Sequence, residues 1–150
     1  ISIGTYLPKS RAIVTAAQDA LPKEVLIGFT NGAHIPASLA HAGKGLMVYG
    51  FADDASLPKM TSPVLVAMSE LKLGETVLAL GADGAASTGI VARVSEKGIH
   101  TTLPDIGTGS AVVDLSGNLI GISAGAAPGL LIGTNALTEL LTATSTAAAK

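Results

Sequence analysis

The chain has no cysteine, no tryptophan and few charges, and each shortage removes a class of chemistry. Without cysteine there is no disulfide, no thiolate nucleophile and no cysteine-ligated metal, and the redox compartment cannot be read. Charged residues are only 13% of the 150, and the net charge of -2 is spread without a basic cluster or stripe. Such a surface does not neutralise phosphates, so nucleic acid is not an expected partner. No run approaches the roughly 18 to 20 unbroken apolar residues of a transmembrane helix, so no membrane span is expected in this segment. No Asn stands in an N-x-Ser/Thr sequon. The sequence starts at Ile1 without a Met, a basic stretch or a signal-type apolar run, which reads as a processed or trimmed piece of something longer.

What is present is a series of short apolar, β-branched runs divided by Gly, Pro, Asn and Asp, the pattern of an all-β sandwich or barrel. With 48% hydrophobic residues the chain is long and apolar enough to bury a core, so it is read as globular rather than disordered. The first group of runs covers residues 1–6, 11–15, 24–29, 34–40 and 46–50, and Asn31-Gly32 supplies the positive φ of a hairpin between the third and fourth. Residues 52–63, with Asp53-Asp54 and two prolines, break the periodicity and read as a crossing between lobes. A second group covers 64–68, 76–80, 87–94, 99–102, 110–115, 119–124 and 130–133, with Ser116-Gly117-Asn118 as hairpin chemistry. Leu137, Leu140 and Leu141 then fall at helical spacing behind Thr134-Asn135, either of which can cap a first turn. The expected organisation is a β-barrel lobe over 1–56, a second over 57–134, and a short helix with a flexible tail over 135–150.

Several blocks resemble the trypsin-like serine proteases of the HtrA (Deg) type. They are Leu73 to Gly81, Ser87-Thr88-Gly89-Ile90-Val91-Ala92, Gly107 to Ile122, and Leu130 to Leu141; in the first half Arg11 to Gln18 is similar to the family's I-V-T-x-x-H block. The resemblance implies a chymotrypsin-like double β-barrel, two six-stranded barrels with a cleft between them, and an extracytoplasmic or envelope location. It also implies that the catalytic positions are altered. Gln18 stands at the His, Gly45, ahead of Leu46-Met47-Val48-Tyr49, at the Asp, and Thr108 at the nucleophilic Ser, while Ile106 takes the place of the oxyanion-hole Gly.

A hydroxyl nucleophile needs an adjacent base, and a glutamine amide does not titrate near neutrality, so Thr108 has no proton acceptor in Gln18. An Ile in place of Gly restricts the backbone that aims the oxyanion donors, each worth ~3 to 4 kcal/mol. The expectation is an inactive pseudoprotease, without cofactor or metal, that serves as a scaffold for a protein or extended peptide through β-augmentation, or as a module of a larger assembly. The rival expectation is a hydrolase using Thr108 or the nearby Ser110. A weaker one is metal binding by His34, His41 or His100, the last beside Asp105; surface or half-buried roles are favoured for all three. Asp53-Asp54 is read as a solvated turn, and Gly81-Ala82-Asp83-Gly84 as a hairpin loop, since no helix or ribose-binding acid follows it.

Overall fold

The computed structural model describes residues 3–18, 21–81, 84–125 and 127–148, with side chains to Thr142. Among the described residues eleven strands and one α-helix follow in chain order: β1 (Thr5–Leu7), β2 (Ala12–Ala16), β3 (Glu24–Gly28), β4 (His34–Gly43), β5 (Leu46–Phe51), β6 (Thr76–Leu80), β7 (Ala86–Ser95), β8 (Gly98–Thr101), β9 (Ala111–Val113), β10 (Leu119–Ser123), β11 (Leu130–Gly133) and α1 (Thr134–Ala148). The strands sort into two lobes. β1 to β5 form a five-stranded sheet in the order β1-β2-β5-β4-β3, and β6 to β11 close into a six-stranded barrel. The protein is therefore all-β with one C-terminal helix, as expected. The first lobe differs from the six-stranded barrel that the resemblance implied, because among the described residues its sheet does not close.

Alternation explains the cores. In the closed barrel Val77, Val91, Ile99, Val112, Ile120 and Leu131 point inward and are sealed from solvent, and half-buried Ile106 packs against them. In the first lobe Ile13, Met47, Tyr49 and Phe51 fill the concave side, but Val25, Ile27, Ile35 and Leu39 around them are only half-buried. The Tyr49 hydroxyl donates to the Pro22 carbonyl at 2.7 Å, and burial pushes its phenol above the ordinary value of 10.0.

β2 and β5 are covered on both faces, which is why they read as nearly unbroken apolar runs. Their other side chains, Ala12, Val14, Leu46 and Val48, meet Val113, Leu119 and Ile122 of the second lobe and Leu137 and Leu140 of α1 in one shared core. At ~25 cal/mol per Å2 of apolar area, a fully buried residue of this size contributes ~1.5 to 3 kcal/mol, so this seam is a major source of cohesion between the lobes.

Two further sequence expectations are corrected. Residues 64–68 do not form a ladder strand: Leu65 makes one parallel bridge to Leu119, and Met68–Glu70 is a 3-10 turn. The preceding Pro63 has no N–H to give, and pairing stops after this one bridge. Residues 142–148, read as tail, continue α1, where alanines at 143, 147 and 148 favour helix; residues 149–150 lie outside the described residues. The Thr134 hydroxyl donates to the Val66 carbonyl and so ties the helix start to the connector. The Asn31-Gly32 hairpin, with Gly32 at φ +86°, and the Ser116-Gly117-Asn118 hairpin, with Gly117 at φ +82°, stand where expected.

Candidate functional site

Of the four positions that the resemblance singles out, Gln18 and Gly45 lie in the first lobe and Ile106 and Thr108 in the second. β2 carries the chain to Ala16, and Ala17 follows with its N–H donated to the Gly45 carbonyl at 2.7 Å. The next residue is Gln18, half-buried, whose carbonyl accepts the Leu21 N–H at 3.4 Å. Gly45 holds the β4–β5 turn at φ +79°, with Lys44 also left-handed at φ +53°. The antiparallel pairing of β2 with β5, Ala16 opposite Leu46, thus brings Gln18 and Gly45 together from positions 27 apart.

Thr108 and Ile106 come from the loop between β8 and β9. Gly107 (φ +85°) and Gly109 (φ +90°) give this loop its sharp course. Its polar groups are tied internally or to neighbours: the Gly107 N–H donates to Asp105 Oδ1 at 3.3 Å, the Gly109 N–H to the Ser123 carbonyl at 2.9 Å, and the Gly109 carbonyl accepts from Thr5 Oγ1 at 3.3 Å. A Cβ at Gly109 would strike the Ile3 carbonyl and Thr15 Oγ1, so the first lobe lies directly against this loop. Thr15 Oγ1 in turn donates to the Ile3 carbonyl at 2.7 Å. Thr108 is half-buried, packed so closely on Gly125 (φ +71°) that a side chain there would meet its hydroxyl.

Ser110 is fully buried and its Oγ donates to the Ile106 carbonyl at 2.8 Å. A hydroxyl in that position has no access to a substrate carbonyl. Gln18, Gly45 and Thr108 thus offer a carboxamide, a bare glycine and a threonine hydroxyl, none of which takes up a proton near neutrality.

The histidines lie elsewhere. His34 is exposed on β4 with Nδ1 3.0 Å from the Gly32 carbonyl, and His41 is half-buried beyond a bulge between Leu39 and His41. His100 Nε2 lies 3.1 Å from Arg93 Nη2, whereas Asp105 is engaged with Gly107. Among the described residues no three His, Asp or Glu side chains converge as metal ligands would. Asp53 and Asp54 are exposed in the crossing. Of the Gly-rich loop, residues 82–83 lie outside the described residues, and the Gly84 N–H donates back to the Gly81 carbonyl at 3.1 Å.

The sequence reading missed the part played by Ile3, Thr15 and Gly125. Gly125, in the Ser-Ala-Gly run after β10, carried the available signal, since a glycine just past a strand often marks close approach of another chain segment. The chain matches no protein-family model and no curated protein sequence.

Proposed function

We propose that this chain is a degenerate HtrA-like domain of the trypsin type that acts by binding protein or extended peptide and not by hydrolysis. The observation that supports the reading is the hydrogen bond from the Ala17 N–H to the Gly45 carbonyl, next to Gln18: neither Gln18 nor Gly45, to which the resemblance assigns the base and the orienting acid, has a titratable side chain. A neutral amide accepts no proton from an alcohol, and a glycine aligns no imidazole. The sealed Ser110 hydroxyl, committed to the Ile106 carbonyl, argues against a displaced nucleophile. The trypsin-like part of the reading rests on the sequence blocks together with the two-lobe β architecture and its seam.

A fluorophosphonate probe tests it. The expected result is no covalent adduct on the folded chain and no cleavage of an unstructured protein substrate. An adduct at Thr108 or Ser110, located by peptide mass spectrometry and not formed when the chain is denatured before the probe is added, would replace the binding reading with the hydrolase one.

A further inference from the structure

The three methionines of the chain stand in three different settings. Met47 is buried in the concave core of the first lobe, and Met60 projects from the crossing with 61% of its surface exposed. Met68 is half-buried, packs against the sealed core of the second barrel and also lines an open groove of about 800 Å3. Of the three, Met68 alone joins access from solvent with contact to a sealed core.

The groove explains the access. Ser69, Val94 and Ile132 line it beside Met68, and so do Asn135 and Ala136 in the first turn of α1. A missing side chain explains the packing. Gly133 ends β11, and a Cβ on it would strike Met68 Sδ and Cγ. The thioether therefore rests directly on the Gly133 backbone, in the space that any other residue would fill.

This seat is one of the ties that hold residues 64–70 to the barrel. The Leu119 N–H donates to the Val64 carbonyl at 2.8 Å and the Val66 N–H to the Leu119 carbonyl at 2.9 Å, while the Thr134 hydroxyl donates to the Val66 carbonyl. The 3-10 turn at Met68–Glu70 follows, with no buried residue of its own. Met68 on Gly133 fastens that turn to the joint between β11 and α1.

We propose that Met68 is an oxidation site for hydrogen peroxide, and that its sulfoxide releases the 64–70 connector from the joint between β11 and α1. The Sδ lone pair attacks one peroxide oxygen, and the S–O bond forms as the O–O bond breaks. The hydroxide that leaves takes the proton of the transferred hydroxyl and departs as water, so sulfur gives up two electrons and the peroxide gains them. A sulfoxide oxygen kept against the barrel core is a costly buried acceptor. Turned into the groove, it meets water and the polar side chains of Ser69 and Asn135. That turn lifts Sδ off Gly133 and loosens the segment it fastened.

The test is titration of the folded chain with hydrogen peroxide, with sulfoxide at each methionine quantified by peptide mass spectrometry and amide exchange followed by NMR. Met60 and Met68 are expected to oxidise at least roughly tenfold faster than Met47. Sulfoxide at Met68 is expected to speed exchange of the Val66 and Leu119 amides by about tenfold and to leave the amides of β7 unchanged. Met60→Leu, which keeps Met68, is expected to respond as fully, whereas Met68→Leu, close to methionine in volume, is expected to lose the response. Oxidation of Met68 as slow as that of Met47 would overturn the site, because both sulfurs would then be reached only through unfolding. Rapid oxidation of Met68 with unaltered Val66 and Leu119 amides would overturn the release, and so would a response that persists in Met68→Leu. Faster exchange throughout the barrel would overturn it as well, by showing general unfolding in place of one loosened segment.

Discussion

The two lobes are built from strands of similar length and alternation, yet they solve closure differently. The second packs Val, Ile and Leu into a sealed six-stranded barrel, whereas the first holds all four aromatic residues, Tyr6, Phe29, Tyr49 and Phe51, in a five-stranded sheet that does not close among the described residues. Large rings compensate in part for the missing wall, since each covers more area than an aliphatic side chain and their edge-to-face contacts add ~0.5 to 1.5 kcal/mol. The difference teaches that alternation fixes which side of a strand faces inward, while completeness of a core depends on the number of strands that meet. A sheet of odd count with alternating directions keeps its edges.

The contrast is broken most decisively by equal substitutions in the two cores. Ile99→Ala, at a fully sealed position, is expected to cost about 4 kcal/mol in urea unfolding, and Ile27→Ala, half-buried beside the opening, about 1 kcal/mol. Equal losses would mean that the first lobe is as closed as the second. At the junction of the lobes, Gly109→Ala places a Cβ against the Ile3 carbonyl and Thr15 Oγ1 from a left-handed backbone. A loss of about 2 to 3 kcal/mol is expected, with earlier amide exchange in β1 and β2 than in β7 and β8; unchanged stability would show that the contact is dispensable.

Tyr49 sharpens the comparison through pH. Because burial raises its phenol in the folded chain, the stabilisation tied to the neutral form is complete below pH 10.0 and is lost as pH climbs through the higher folded-state value. Tyr49→Phe is expected to cost about 1 kcal/mol at neutral pH, by leaving the Pro22 carbonyl without its donor, and to flatten that alkaline decline. Unfolding curves at neutral and alkaline pH decide it. The smallest effect belongs to the ion pair between Lys44 and Glu139, both more than half exposed, where Lys44→Ala should change stability by about 0.5 kcal/mol or less.

Local pattern made most strands legible. Val and Ile at alternating positions placed β3, β5, β6, β7 and β10 to within a residue or two, and the Leu137, Leu140 and Leu141 spacing placed the packing face of α1. What escaped depends on partners distant in the chain. The run at residues 64–68 has strand-like composition, but only Leu119 offers it a bridge, and no alternation in the run itself could show that. The openness of the first lobe is likewise a matter of which edges meet. For the candidate site, the resemblance singled out Gln18, Gly45, Ile106 and Thr108 from the sequence alone. The burial of Ser110 and the seat of Thr108 on Gly125 were not legible there, because both arise where β8, β9 and β10 converge.

Arg11 has a consequence for how the two halves are leashed. It stands in a left-handed conformation, φ +48°, and its Nη2 reaches the carbonyls of Ala52, Asp53 and Ala55 at 3.0 to 3.2 Å. One guanidinium thereby clasps the start of the crossing to the strand it flanks. The span that follows leaves from a fixed anchor, so the tether is shorter in effect than its residue count, and a lysine there would keep the charge while losing the planar guanidinium whose Nη2 lies among the three carbonyls.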